Sequence, residues 1–258
     1  NELSDYIAHD PVIAARVLSL ANRAADRTRN NATVRDIYTA TSLIGMSHVR
    51  EIALLSSVGQ FAQISAQGCL SDSYWSHSVA VGVCAQELAI HIAAPISSDL
   101  ALIAGLLHDI GQLWLFRFHG ESFIEARELA RTQSIGIESA EQAQFGVDHA
   151  QIGAWLAEHW ELPANIVAAI RHHHQPGSAL TNLLVPIVSI AEVLSNALDL
   201  GGRAENKVTS ISGAACAVLG LNFDKGIQPL LGRIEARSRH ANSLFSSHAG
   251  QANSAIQR

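Results

Sequence analysis

Residues 100–111, LALIAGLLHDIG, decide the fold. The apolar side chains of Leu100, Ile103 and Leu107 recur at helical spacing, which predicts an α-helix with one face in the core. Gly111 is a natural helix C-cap, so the helix is expected to end there. The sequence therefore predicts that an apolar helix delivers an adjacent imidazole and carboxylate, His108 and Asp109, to its C-terminal end.

Burying such a pair is costly unless it is hydrogen-bonded or bound to a metal. A metal could use both side chains at once, one through nitrogen and one through oxygen. A His-Asp dipeptide is common in proteins, however, so its weight depends on the other histidines of the chain.

The composition favours a globular, helical protein. Of the 258 residues, 48% are hydrophobic and 16% are charged, which is enough apolar content for a sizeable core. Aromatic residues are few, and Ala and Leu are frequent, which favours helices over a β-sandwich. The formal charge of −6 argues against a large basic face, so no nucleic-acid partner is expected. The three cysteines have no metal-ligand spacing, and we expect free thiols in a reducing, cytoplasmic compartment.

No targeting or membrane segment is predicted. Apolar runs are interrupted by charge or Gly within a few turns, and the first residues do not have the pattern of a signal peptide. The chain begins at Asn1 rather than Met, which is the pattern of a fragment, and an upstream segment such as a regulatory domain would not be visible in this sequence.

Composition shifts divide the chain into four predicted parts. They are an N-terminal helical subdomain (1–70), a helical core (71–200), C-terminal helices (201–245) and a flexible tail (246–258). Asp10-Pro11 has the pattern of a helix start, and Gly45 is expected to end a helix that begins near Thr33. The N-terminal part contains no cluster of metal-ligating side chains.

Further histidines and one acid lie on predicted helices of the core. His77 lies near the start of a long helix, and His149 lies in the first turn of a helix capped by Asp148. Residues 172–174 are three successive histidines at a helix end, where two neighbours can converge on one site while the third points elsewhere. Glu192 is the one acid in the middle of an apolar helix, either exposed or turned inward.

An all-helical bundle builds a core metal site from side chains on several facing helices. A mixed imidazole and carboxylate set suits Fe, Mn, Ni, Co or Zn rather than a Cys-rich structural zinc site. We therefore predict one or two divalent transition-metal ions, held by residues among His77, His108, Asp109, His149, His173, His174 and Glu192.

The chain resembles the HD superfamily and, within it, the HDOD domain family of bacterial signalling proteins. The resemblance covers nearly the whole chain and is carried by a series of short segments. They are Asp10-Pro11, Leu20-Ala-Asn22, 40–45, Trp75-Ser-His77-Ser, 105–111, 145–153, Trp160-Glu-Leu-Pro163 and 173–176.

The resemblance implies a fold, a site and a chemistry. The fold is an HD-type multi-helix bundle with an N-terminal helical subdomain. HD-family hydrolases bind metal through a His, a His-Asp pair and a late acid, which match His77, His108, Asp109 and Glu192. The related GYP-containing cyclic-di-GMP phosphodiesterases add histidines for a second metal, and His149 and the pair 173–174 fall at those positions. A bridging Asp109 would let two metals activate water for attack on a phosphoester, with His108 and Asp109 as the catalytic residues.

The chain also departs from the active enzymes. Their usual lysine after the His-Asp motif is Gln112 here, and the late acid is Glu192 where the family has Asp. Ser195 replaces the second acid of that motif. The Gly-Tyr-Pro segment is missing, and the chain reads Gln175-Pro176-Gly177. Loss of the lysine removes a phosphate-binding charge.

Three functions remain open on the sequence. The first is a signal-transduction output domain with a metal site and weak or no catalysis, acting through a signalling partner or an upstream regulatory domain. The second is a metal-dependent phosphohydrolase for a nucleotide or cyclic dinucleotide. The third is a metal-free protein-interaction module.

Overall fold

The computed structural model describes residues 17–18, 20–22, 24, 34–46, 48–49, 52, 72–93, 95–201, 210–223 and 226–256. Ten α-helices have bounds within these ranges, and no described residue lies in a strand, which confirms the all-α prediction. The helices are α1 (Ile37–Ile44), α2 (Asp72–His91), α3 (Ser98–Leu107), α4 (Ile110–Gln133), α5 (Ile137–Phe145), α6 (His149–His159), α7 (Ala164–His172), α8 (Leu184–Ala197), α9 (Gly213–Leu219) and α10 (Gln228–Ile256).

The chain divides into two compact units. One comprises Asn1–Gln67 with Ser243–Arg258, and the other comprises Gly68–Asn242. The predicted helix start at Asp10-Pro11 and the predicted boundary between residues 70 and 71 lie outside the described residues.

The N-terminal unit contains α1 and a small apolar core. Helix α1 begins after Asp36, whose carboxylate accepts a hydrogen bond from the Thr39 backbone N–H, and it ends at Gly45 with φ +82°, as predicted. The Asn22 side-chain amide bonds both backbone groups of Val34 and joins two segments of this unit. The core residues are Val17, Ala21, Ala40, Val49 and Ile52.

Helix α2 is the central element of the second unit. Its middle is buried, and it packs on α3 and α8. The contact with α3 is backbone to backbone, because a Cβ on Gly105 would lie 2.7 Å from the Gly82 Cα. The buried face of α3 differs from the prediction. Leu100, Ile103 and Leu107 are only partly buried. The buried residues are Ala101, Leu102, Ala104, Gly105 and Leu106.

The His-Asp stretch ends differently from the prediction. Helix α3 ends at Leu107, His108 is its C-cap, and Asp109 is the N-cap of α4. Gly111 is therefore not a C-cap but lies in the first turn of α4, which continues to Gln133 through a kink at His119. A short corner between two helices thus presents both His108 and Asp109.

The segment Ser98–Gln133 is long and apolar enough to resemble a membrane span, with 67% of its most apolar window buried inside the protein. Asp109 and the kink at His119 interrupt the segment. Its burial against neighbouring helices is typical of a core element.

Helix α10 is joined to α2 by a buried acid. Glu87 accepts hydrogen bonds from Arg233 and Arg237 at 2.9 and 2.5 Å. The helix continues to Ile256, and the flexible tail at 246–258 stays a prediction.

Candidate metal centre

The seven predicted ligand residues come from five parts of the second unit. His77 lies on the second turn of α2, and Glu192 lies on α8. His108 and Asp109 form the α3–α4 corner, and His149 begins α6. The remaining two, His173 and His174, follow the last turn of α7. Their assignment as ligands remains a prediction.

The structure brings all seven residues together. In three overlapping groups, potential ligand atoms lie within 4.8 Å of one another. The groups are Asp109–His149–His173–His174, His77–His108–Asp109 and His108–His173–Glu192. Asp109 is shared by two groups, and its Oδ1 lies 3.1 Å from His149 Nε2 and 3.4 Å from His108 Nε2.

Backbone carbonyls orient two of the imidazoles. His108 Nδ1 lies 2.7 Å from the Gly105 oxygen, and His173 Nδ1 lies 2.7 Å from the Ile170 oxygen. Because a carbonyl can only accept, each Nδ1 carries a proton, and Nε2 is the nitrogen left to bind a metal. This is the arrangement by which metal-ligating histidines are usually held.

A carboxylate orients His149. Glu141 Oε2 accepts hydrogen bonds from the backbone N–H of His149 at 2.8 Å and from its Nδ1 at 2.6 Å. His149 Nε2 then lies 3.0 Å from His174 Nε2, beside its contact with Asp109. All atoms of both Glu141 and His149 are buried.

The histidine run divides as the helical spacing predicts. His173 and His174 point into the cluster, where their ring centroids are 4.0 Å apart. The ring of His172 instead makes a hydrogen bond with the Ser178 hydroxyl, outside the cluster.

The charges in the cluster shift two neighbouring histidines in opposite directions. Burial would lower the pKa of His149, but Glu141 and Asp109 outweigh it and hold that pKa well above its usual range. Burial, together with the positive charge His149 carries when protonated, lowers the pKa of His174 to about 3. Burial and the neighbouring His174 likewise lower the pKa of His173. These shifts favour the neutral form of His173 and His174, which is the form in which a histidine binds a metal, whereas the two carboxylates favour the protonated form of His149.

Buried lone pairs show that these residues fit a metal. The Nε2 atoms of His108 and His173 are buried and make no hydrogen bond. Each therefore pays a desolvation cost that the protein does not offset, which a bound cation would. The nitrogen and oxygen donor set suits a first-row transition ion.

The cluster is closed on most sides. His77, His108, Asp109, His149 and His173 are each 1% exposed or less. Only the outer edge reaches solvent, where the side chains of His174 and Glu192 are 19% and 16% exposed. Their closest nitrogen–oxygen distance is 3.8 Å.

Two residues that support the centre were not predicted. The acid Glu141 precedes His149 by eight residues on a separate helix, so no short motif joins them. Tyr74 donates a hydrogen bond from its hydroxyl to the Asp109 backbone oxygen at 3.0 Å. Its position three residues before His77, one turn away on the same helix, was the available signal.

The departures from the enzyme pattern lie close to the cluster. Gln112 is buried in the first turn of α4, where its N–H donates to the Asp109 backbone oxygen. A short 3₁₀ turn, Pro176–Ser178, follows the histidines where the Gly-Tyr-Pro segment would be. Ser195 is buried one turn after Glu192, and its hydroxyl makes no hydrogen bond.

The sequence matches the HDOD domain family over residues 1–176. This chain belongs to the HDOD domain family. The match covers most of the chain, including the corner at His108 and Asp109 and the histidine run. It confirms the resemblance drawn from the short segments.

Solved structures share the fold of this HDOD domain. An HDOD domain protein of unknown function from Geobacter sulfurreducens superposes with a TM-score of 0.76 at 23% identity, over 96% of this chain and 85% of the other. A candidate phosphohydrolase from Shewanella amazonensis SB2B superposes with a TM-score of 0.67 at 24% identity, over 95% of this chain and 85% of the other. A candidate signal transduction protein from Marinobacter aquaeolei VT8 superposes with a TM-score of 0.69 at 24% identity, over 96% of this chain and 54% of the other.

A longer relative carries a similar sequence. An uncharacterized protein of Treponema pallidum (strain Nichols) is 30% identical over 181 residues, which are 67% of this chain and 34% of that protein. The HDOD chain thus spans about a third of the length of this relative.

Proposed function

We propose that this HDOD domain is a bacterial signal-transduction output domain that holds one or two divalent transition-metal ions and has weak or no hydrolytic activity. The observation that carries this proposal is the burial of the cluster. Five of its seven residues are 1% exposed or less, while two buried imidazole nitrogens have no hydrogen-bond partner. The cluster suits an ion far better than it suits a substrate.

Metal sites differ in their access to solvent. Structural sites are closed by protein ligands, whereas catalytic sites keep a position open for water or substrate. Among the seven described residues of the cluster, His174 and Glu192 form the exposed edge. A phosphoester would have to pass the Glu192 carboxylate, which repels its negative charge.

The side chains available to a phosphate also favour weak catalysis. The active enzymes that the chain resembles have a lysine after the His-Asp motif, and this chain has the uncharged Gln112 at that position. Arg171, which lies just before the histidine run, pairs with Glu158 at 2.6 Å instead. Neither residue therefore supplies a free charge to clamp a transferring phosphate.

A second candidate is a metal-dependent phosphohydrolase acting on a nucleotide or cyclic dinucleotide. The shared position of Asp109 between two ligand groups favours it, since two metals clamp both oxygens of a phosphoryl displacement. In this candidate His108 and Asp109 are the catalytic residues and hold the ions, which supply Lewis acidity. A metal-free interaction module is disfavoured by the unsatisfied nitrogens of His108 and His173.

The output would pass to another protein or domain. We infer a signalling partner or an upstream regulatory domain, in the cytoplasm, with a nucleotide as a possible ligand. The length of the Treponema pallidum relative supports further domains around a segment of this kind.

Elemental analysis tests the proposal. The protein is purified without a His-tag or added metal, beside a double variant carrying His108→Ala and Asp109→Ala. We expect near-stoichiometric transition metal in the wild type and none in the variant. Absence of metal in both would overturn the proposal.

A phosphoester panel separates the two metal-dependent candidates. The metal-loaded wild type is assayed against mononucleotides, cyclic dinucleotides and a generic aryl phosphate. We expect turnover no greater than that of the double variant. Sustained turnover that the double variant lacks would replace the first candidate with the phosphohydrolase.

A further inference from the structure

Three histidines of the cluster have a hydrogen-bond partner at Nδ1. Two of these partners are backbone carbonyls, and the third is a side-chain carboxylate. His108 and His173 donate to backbone carbonyls three residues earlier in their own chain segments. Such a partner is supplied by the local helix turn whatever the sequence. His149 instead depends on the side chain of Glu141, which belongs to α5.

Glu141 is placed by the short connection between α5 and α6. Helix α5 ends at Phe145, and Gly146 adopts a left-handed conformation with φ +72°. Asp148 then caps α6 by accepting a hydrogen bond from the Gln151 N–H. The chain therefore reverses within three residues, which carries Glu141 onto the first turn of α6.

The carboxylate of Glu141 is buried at a cost. It is 0% exposed, Oε2 takes both hydrogen bonds from His149, and Oε1 makes none. The backbone N–H of His149, at the positive end of the α6 dipole, stabilises a negative charge at this position. Retaining a buried acid with one unsatisfied oxygen indicates a role beyond packing.

We propose that Glu141 is the positioning residue that fixes His149 as a metal ligand through Nε2. The inference rests on the proposed metal-binding function. With Nδ1–H donated to Glu141, the ring points Nε2 toward Asp109 Oδ1 and His174 Nε2, at 3.1 and 3.0 Å. A carboxylate partner at Nδ1 also makes the imidazole a more basic metal ligand than a carbonyl partner does.

The two main ligand groups make this role separable. His149 belongs to the group Asp109–His149–His173–His174 and not to the group His77–His108–Asp109. Loss of the Glu141 charge should therefore weaken the ion of the first group and spare that of the second. Partners of this kind change metal affinity by about 10- to 100-fold.

The test is a titration of the metal-free protein with Co²⁺, followed by visible absorption and calorimetry. The variants are Glu141→Gln, which removes the charge and keeps the shape, and Glu138→Gln as a control on the same helix. His149→Ala and His77→Ala provide the reference pattern for each group. We expect Glu141→Gln to weaken the His149-dependent binding by 10- to 100-fold, and Glu138→Gln to match the wild type.

The outcomes distinguish this inference from the function it rests on. If the wild type binds no Co²⁺, the proposed metal site is wrong. If the wild type binds Co²⁺ and Glu141→Gln binds it equally well, or copies His77→Ala instead, the positioning role is wrong.

A nitrogen-15 NMR measurement of the imidazoles tests the same role without a folded Glu141 variant. The wild type is titrated with Zn²⁺, and the His149 signals are assigned by their absence from His149→Ala. We expect Nδ1 to stay protonated and Nε2 to shift as the metal binds. Loss of the Nδ1 proton, or an unshifted Nε2, would overturn the inference.

Discussion

Gly111 lies against the first turn of α6, so close that a Cβ on Gly111 would overlap the backbone carbonyl oxygen of His149. The same Cβ would lie 2.8 Å from the backbone nitrogen of Gly153. The distance between the Asp109 corner and His149 is thus set by two backbones in contact. Glycine at this position is therefore required for the close approach of α4 to α6.

Replacing Gly111 by Ala should therefore separate α4 from α6. Overfilling a packed contact costs about 1–3 kcal/mol, and a backbone cannot move aside as a side chain can. We expect a loss of stability in this range or above, measured by chemical denaturation, with a parallel loss of bound metal. Gly232→Ala is the control, because a Cβ there has no atom within 4 Å and Ala favours the helix. Equal stability of the two variants would contradict the close contact.

Adjacent histidines should behave differently. His173→Ala removes a buried ligand candidate, whereas His172→Ala removes a ring that bonds the Ser178 hydroxyl outside the cluster. We expect His173→Ala to lose at least one bound metal ion per protein molecule. We expect His172→Ala to keep the metal content of the wild type. Inductively coupled plasma mass spectrometry of both proteins makes the comparison. Equal metal loss in the two variants would contradict the different directions of the His172 and His173 rings.

Removal of the metal should lower the thermal stability. A ligand that binds only the folded state stabilises it by about 2.7 kcal/mol at 100 times its Kd. For a unit of this size that is a shift in Tm of about 5–10 °C. We expect EDTA to produce such a decrease in the wild type and none in the His108→Ala, Asp109→Ala double variant. Calorimetry on both proteins tests this, and an insensitive wild type would contradict a tightly held ion.

Glu87 should make the stability depend on acid pH. Burial alone would raise the pKa of Glu87, but the hydrogen bonds from Arg237 and Arg233 outweigh it and hold the pKa below its usual value of 4.5. A group whose pKa is lower in the folded state stabilises the protein above its unfolded pKa. That stabilisation is lost as the pH falls from about 4.5 through the lower, folded value.

Glu87→Gln should therefore lower the free energy of unfolding at neutral pH. Between neutral and acid pH, the free energy of unfolding of the variant should fall less than that of the wild type. We expect a loss of about 1–2 kcal/mol at pH 7, at the low end for a charged hydrogen bond because both arginines reach solvent. Denaturation midpoints across this pH range provide the measurement. Glu128→Gln is the matched control, since its pair with Arg131 lies on the surface and should change little. A wild type and Glu87→Gln variant with parallel pH profiles would contradict the role of the ion pair.

The sequence determined the helices and the membership of the cluster. Apolar periodicity and cap residues such as Asp148 are local signals, and they located α6 and the long helix carrying His77. The helical rotation of about 100° per residue also predicted that the run 172–174 would send two rings one way and one the other. Local physics was sufficient because these features depend on neighbours within one or two turns.

Only the tertiary structure decided how the helices meet and which groups support the ligands. The sequence assigned Gly111 to the end of a helix, because the same residue type serves as a cap and as a point of close approach. Nothing local joins Glu141 to His149, and the inward direction of Glu192 depended on what packs against α8. These relations are contacts between separate helices, and their geometry is set by the packing of the whole unit rather than by any one segment.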